Sequence, residues 1–279
     1  MPKGQSLHIG LNSVDPDHYQ GWSGVLNACE ADAIDMQAIA TNQGYTTSSL
    51  LTSAATRKNV INEINSVANQ LNSGDIFLLT YSGHGGQLPD WNQDEPDQQD
   101  ETWCLFDGEL VDDEIYSLLG RFQSGVRILV FSDSCHSGTA IKSAYYYNAA
   151  RSASMKLDES KSTVYRAMPN DVALRVYNAN KAIYDPILND KTIENARNEV
   201  QASALLISGC QDNQFSADGT FNGLFTGTML RVWANGSFSG TYRDFHGSIV
   251  QRMPPDQTPN YYFVGTPSPS FESESPFEI

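Results

Sequence analysis

Three short, unbroken apolar runs constrain the fold most: residues 76–81 (IFLLTY), 128–131 (ILVF) and 204–208 (ALLIS). A strand with one wet face alternates apolar and polar residues. None of these runs alternates, so each reads as a strand buried on both faces. Each ends at turn residues, Ser82-Gly83, Ser132-Asp133 and Gly209. Residues 24–42 carry Val25, Leu26, Ala28, Ala31, Ile34, Ala38 and Ile39 at helical spacing, with Gly44 as the stop. Residues 56–71 repeat the pattern through Val60, Ile64, Val67 and Leu71. Further helices are expected over 113–122 and 223–234, and a short strand over 6–12. Buried strands alternating with helices imply an α/β fold with a mainly parallel central sheet covered on both faces. No internal repeat is visible.

Charge narrows the partners. The 279 residues carry a net charge of −16, which argues against a nucleic-acid or anionic-membrane surface, because both demand clustered Lys and Arg. The excess is local: residues 90–114 hold eleven acids and no Lys or Arg, and without them the charge falls to −5. No apolar leader follows Met1, and no run approaches the roughly 20 residues of a membrane span. Four widely spaced cysteines (Cys29, Cys104, Cys135, Cys210) suit free thiols in a reducing cytoplasm.

In an open parallel sheet, ligands bind beyond the carboxyl ends of the strands. After the first run comes Ser82-Gly83-His84-Gly85-Gly86, and after the second Ser132-Asp133-Ser134-Cys135-His136-Ser137-Gly138. One strand delivers an imidazole and the other a thiol to the same edge. A thiol must lose its proton to attack a carbonyl, and a nearby His supplies the base and the counter-ion of the thiolate. Glycines after His84 let backbone approach closely, with amides free to face an oxyanion. A metal reading through His84, Cys135, His136 and Cys210 is also open, but it lacks the close ligand pairs of metal motifs.

YSGHGGQ (81–87) and DSCHSG (133–138) resemble the catalytic blocks of metacaspases, in particular the short bacterial members called orthocaspases. ACEADA (28–33) is similar to their first-helix block, and SGCQDNQFSADG (208–219) to the block opening their small-subunit half. The resemblance implies a caspase-like three-layer fold and a cysteine endopeptidase cleaving after Arg or Lys. It makes Cys135 the nucleophile and His84 the base, with the Gly85 and Cys135 amides as the oxyanion hole. It places Cys29, Asp32, Ser82 and Asp133 in the pocket for the residue before the cut (S1). Spacing agrees: Asp133 and Ser82 each stand two positions before Cys135 and His84, on the same side of their strands, and Cys29 and Asp32 share a helix face. Two buried carboxylates are costly unless a cation answers them, and a guanidinium does so with two parallel bonds. Arg is therefore expected to outperform Lys. Metacaspases resemble monomers, so one is expected here, acting on protein or peptide substrates.

By the same resemblance, Asp100, Asp112 and Asp113 fall at positions that hold calcium. A further acid is usual after the nucleophile, where this chain has Lys142, a cation that could replace the metal. Calcium is thus not expected to be required. Asp90, Asn92, Asp94 and Glu101 also match part of an EF-hand spacing, although Glu95 stands where that turn needs Gly. Residues 145–200 break the strand–helix rhythm and read as a variable insertion or processing segment between a large-subunit-like part (1–144) and a small-subunit-like part (201–270). Arg151, Lys156, Lys161 and Arg166 within it are candidate self-cleavage positions. Residues 271–279 close a Pro-, Ser- and Glu-rich end expected to be a surface tail. A catalytically silent caspase-like module that binds peptides, and a calcium-binding regulatory domain, are the rival functions.

Overall fold

The structure, a computed structural model, describes residues 1–91, 99–135, 164–193, 196–210 and 216–279. Six strands form the central sheet in the order β2-β1-β3-β7-β8-β9. They are β1 (Gly4–Gly10), β2 (Thr46–Leu51), β3 (Ile76–Ser82), β7 (Arg127–Asp133), β8 (Ser203–Ser208) and β9 (Asn260–Gly265). All neighbours pair in parallel except β8 and β9. A smaller antiparallel sheet, β4 (Gly85–Pro89), β5 (Gln99–Leu105) and β6 (Gly108–Val111), grows from the end of β3.

Strand alternation divides the core in two. Phe77, Leu79, Ile128, Val130, Ala204 and Leu206 face α2 (Arg57–Ala68) and α3 (Asp112–Leu119). Ile76, Leu78, Leu129, Phe131, Leu205 and Ile207 face α1 (Cys29–Asn42), α7 (Leu224–Trp233) and α8 (Tyr242–Val250). The expected three-layer α/β architecture with a largely parallel sheet is the one observed. The apolar runs announce β3, β7 and β8 because both of their faces are packed. Edge strand β2 (TTSSLL) is polar and half-exposed, and carries no such signal. Among the described residues no helix is long and apolar enough to cross a membrane.

One expectation needs correction. The chain end is not a surface tail: Phe271, in α9 (Pro269–Glu272), and Phe277 are both fully buried. Phe277 packs on Phe131, Trp233 and Phe245, with ring centroids 5.7, 4.9 and 5.9 Å away, and its amide donates to the Tyr242 hydroxyl at 3.0 Å. Two aromatic anchors thus outweigh the polar residues around them. Part of the 145–200 segment packs on the body of the fold. From residue 170 it forms α4 (Asn170–Ala179), α5 (Lys181–Leu188) and α6 (Ala196–Glu199). Met168, Val172, Val176, Tyr177 and Tyr184 join Tyr19, Leu88 and Cys104 in a third apolar cluster beside the small sheet.

Truncating a buried phenylalanine removes apolar contact and leaves a cavity. Phe277→Ala should lower unfolding free energy by about 3 kcal/mol, read as an earlier urea midpoint at unchanged m-value. An unchanged midpoint would restore the surface tail.

Candidate active site

The last residues of β3 and β7, Ser82 and Asp133, are register partners, so the loops that follow leave the sheet side by side. Their backbones converge on one carbonyl. Gly85 N–H donates to the Arg166 carbonyl oxygen at 2.9 Å and Cys135 N–H donates to the same atom at 3.2 Å. A side chain at Gly85 would overlap the Cys135 carbonyl oxygen, so only glycine permits this approach.

His84 is held from several directions. The Tyr81 hydroxyl donates to its carbonyl at 2.7 Å, Cys104 N–H donates to the same oxygen at 3.0 Å, and Tyr81 stacks on Trp103 at 4.4 Å. The imidazole lies 4.8 Å from Trp22, and its Nε2 is 3.0 Å from the Gly24 carbonyl oxygen. A carbonyl only accepts, so Nε2 carries the proton and Nδ1 presents a lone pair. Nδ1 is buried and has no hydrogen-bond partner among the described residues. Burial lowers the pKa to about 4, against the raising effect of the Gly24 carbonyl, so the ring is neutral at pH 7. Burial likewise pushes the Cys135 thiol well up, reinforced by the neighbouring Cys210 and opposed by the Ser216 and Arg166 backbone. The Cys135 sulfur accepts from Ser216 N–H at 2.8 Å.

Arg166 is wholly buried where three carboxylates meet. Its Nη2 donates to Asp32 Oδ2 at 2.8 Å and to Asp218 Oδ1 at 2.9 Å. Its Nη1 lies 3.0 Å from Asp133 Oδ2 and donates to Ser82 Oγ at 2.8 Å and to the Asp133 carbonyl at 3.1 Å. Burial opposes its charge, but Asp133, Cys29, Asp32 and Asp218 outweigh that and hold its pKa well above the ordinary value. Asp32, raised by burial and lowered by the guanidinium, titrates at about 6. The acids are themselves tied down. Asp32 Oδ1 accepts from Gly223 N–H at 3.0 Å, Asp133 Oδ2 accepts from Thr226 N–H at 3.0 Å, and Asp218 Oδ2 accepts from Asn27 N–H at 2.8 Å. Gly223 walls the pocket, since a Cβ there would lie 2.5 Å from the guanidinium.

The four residues expected in the pocket therefore come together: Asp32, Ser82 and Asp133 touch the guanidinium, and buried Cys29 at the start of α1 feels its charge. Sequence reasoning passed over Asp218 and Ser216, although both lie in the 208–219 block. It also passed over Trp22 and Gly24, whose contacts to His84 leave no trace in spacing. Arg166 was read as a candidate self-cleavage position in a processing segment, and its burial among the acids was not foreseen.

The metal expectations fare differently. Among the described residues no group of three or more His, Cys, Asp or Glu side chains is placed to hold a metal ion. Asp100 is buried on β5, while Asp112 and Asp113 open α3. Glu101 sits within β5, opposite Gln87, so no exiting helix follows the EF-hand-like spacing, whose Asn92, Asp94 and Glu95 lie outside the described residues. His136, Lys142, Arg151, Lys156 and Lys161 also lie outside them. Glu109, one of the eleven acids of the 90–114 stretch, is fully buried. Its Oε2 accepts from the Thr102 hydroxyl at 2.6 Å, and burial raises its pKa to about 7, against the lowering effects of Thr102 and Arg57.

Residues 14–277 match the family model described as the caspase domain of the C14 peptidases. The chain is 31% identical over 259 residues to metacaspase-1 of Coccidioides immitis, covering 83% of this chain and 54% of that one. To metacaspase-1 of Botryotinia fuckeliana it is 32% identical over 257 residues, covering 83% and 59%. It thus spans little more than half the length of these relatives. A crystal structure of protein GSU0716 from Geobacter sulfurreducens superimposes with a TM-score of 0.90 at 57% identity, covering 100% of this chain and 99% of that one. Caspase-1 from Spodoptera frugiperda, at 10% identity and a TM-score of 0.52 over 95% and 86%, shares the fold.

The raised Glu109 pKa makes a testable contribution to stability. Between about pH 4.5 and 7 the folded chain keeps a proton that the unfolded chain has lost, so stability falls as pH rises through that window. Glu109→Gln lacks this term. In urea unfolding, its stability relative to wild type should increase by about 1–3 kcal/mol from pH 4.5 to 7 and then level off. A pH-independent difference would mean that Glu109 ionises freely in the fold.

Proposed function

Because the chain belongs to the caspase-domain peptidase family, we propose that it is a cysteine endopeptidase of the short, orthocaspase-like kind that cleaves after arginine, with lysine second. One observation carries this reading. The Arg166–Ala167 peptide lies between the His84 and Cys135 loops as a substrate would, its carbonyl oxygen on two amides and its guanidinium among three acids.

The chemistry follows from that arrangement. Cys135 Sγ attacks the carbonyl carbon, and the oxyanion gathers on the Gly85 and Cys135 amides, which already point at that oxygen. The His84 Nδ1 lone pair takes the thiol proton, and the imidazolium then protonates the departing amine. Gly24 and Trp22 fix the ring's tautomer and tilt. Water, activated by His84, hydrolyses the thioester. Discrimination comes from Asp32, Asp133 and Asp218. A planar guanidinium meets acceptors on both of its terminal nitrogens, whereas an ammonium presents a single point charge. A carboxylate side chain before the cut would face like charges. All four cysteines are unpaired and buried, which suits a thiol enzyme in a reducing compartment.

Fluorogenic peptides ending in Arg, Lys or Asp test the reading. Wild type should turn over the Arg peptide fastest and the Asp peptide not at all, and Cys135→Ala should be inert. Binding without turnover would instead favour a silent module. Asp218→Asn should reduce kcat/KM for the Arg peptide about 10²-fold, mostly through KM, since it unpairs one side of a buried charge. Wild-type kinetics in that variant would remove Asp218 from the pocket.

A further inference from the structure

Peptide hydrolysis needs one thiol, yet a second stands beside it. Ser132 and Ser208, near the ends of β7 and β8, are register partners, and Gly209 N–H continues their ladder by donating to the Ser132 carbonyl at 2.8 Å. The two segments then leave the sheet together, which carries Cys135 from β7 and Cys210 from β8 to the same point. The Cys210 thiol donates to the carbonyl oxygen of Ser134, one residue before the nucleophile, at 3.4 Å, and it hydrogen-bonds with the Cys135 sulfur itself. Both turns are pinned. The Ser208 hydroxyl donates to the Cys210 carbonyl at 2.9 Å, and the Ser132 and Ser134 hydroxyls are 3.0 Å apart. Neighbouring strands run about 4.8 Å apart, within the range of about 4.4–6.8 Å between α-carbons that a disulfide accepts. Both sulfurs are fully buried, but a cleft that admits a peptide to Cys135 also admits a molecule as small as hydrogen peroxide. Cys29 and Cys104 lie elsewhere, at the start of α1 and on β5.

Resting on the peptidase reading for its consequence, we propose that Cys210 is a resolving cysteine: it captures an oxidised Cys135 as a Cys135–Cys210 disulfide and so makes oxidative inactivation reversible. The oxidant is hydrogen peroxide. The Cys135 thiolate, its proton passed to His84, takes one peroxide oxygen. An S–O bond forms, the O–O bond breaks, and the leaving hydroxide collects the imidazolium proton. The sulfur is thereby oxidised by two electrons to a sulfenic acid, and the peroxide is reduced to water. The Cys210 sulfur then attacks the Cys135 sulfur and gives its proton to the departing hydroxide. The S–S bond forms, the S–O bond breaks and a second water leaves. Two thiols and one peroxide thus become one disulfide and two waters. A thiol already in contact outruns a second peroxide, which would carry an isolated sulfenic acid on to the irreversible sulfinic acid. A dithiol restores both cysteines by exchange, and with them the nucleophile.

Purified wild type, Cys135→Ala, Cys210→Ala and Cys210→Ser are exposed to hydrogen peroxide, alkylated under denaturing conditions and mapped by mass spectrometry. Hydrolysis of an Arg peptide is read before oxidation, after it, and again after dithiothreitol. Serine keeps a donor for the Ser134 carbonyl, so the two Cys210 variants separate loss of the thiol from loss of that hydrogen bond. Before oxidation both should hydrolyse the peptide like wild type. Oxidised wild type should lose about 2 Da, link the peptides carrying Cys135 and Cys210 within one chain, and regain most of its activity with dithiothreitol. Oxidised Cys210→Ser and Cys210→Ala should instead gain about 32 Da at Cys135 and recover about tenfold less activity. Cys135→Ala should retain a free Cys210 thiol. A wild type that reaches the sulfinic acid as fast as Cys210→Ser would overturn this inference and leave the peptidase standing. So would a disulfide that joins other cysteines or two chains. A Cys135–Cys210 disulfide in a wild type that never hydrolyses the Arg peptide would uphold the pair and overturn the peptidase reading instead.

Discussion

A guanidinium buried among three carboxylates is the interaction on which this site depends. Asp32, Asp133 and Asp218 arrive from α1, the end of β7 and the loop before α7, and each has bonds that pin it before any cation is considered. Three acids within reach of one point, away from water, repel one another strongly enough that one would take up a proton without a counter-charge. Arg166 removes that conflict. The pocket is therefore stable only when filled, by the chain's own arginine or by one from elsewhere.

The same logic links binding to chemistry. The charged pocket fixes one end of the Arg166 residue, and the Gly85 and Cys135 amides fix its carbonyl oxygen. Neither reactive group is charged in its buried state: burial holds the His84 pKa near 4 and the Cys135 thiol high. On the proposed peptidase reading, a thiolate–imidazolium pair costs less once water reaches these groups.

Much of this was legible in the sequence for physical reasons. β3, β7 and β8 are packed on both faces, so their apolar runs are unbroken, and the residues after them had to meet at one edge. That reasoning brought His84 and Cys135 to one edge, and Ser82 and Asp133 were added by strand spacing and family resemblance together. Asp32 followed from helix spacing and family resemblance together. The unread features depend on long-range packing. Phe277 looked like part of a polar tail because its partners, Phe131, Trp233 and Phe245, are distant in sequence. Glu109 was only one acid among eleven in its stretch, and nothing nearby in the chain marks it as the buried one. Arg166 stood out only as one of four basic residues in its segment, because no local pattern reports that three carboxylates from three other segments surround it.

Alternation along a strand carries a consequence for how such a site varies. Asp133 and Ser82 reach the pocket because β3 and β7 run in matched register, so that each final residue turns towards the α1 face. Inserting one residue in β7 would preserve every acid and every apolar residue, yet swing the terminal carboxylate to the opposite face of the sheet. Charge selectivity is thus written in strand length as much as in residue identity. Across chains built on this plan, the count of residues between the core of β7 and the nucleophile should tolerate less drift than the chemistry of the loops around them.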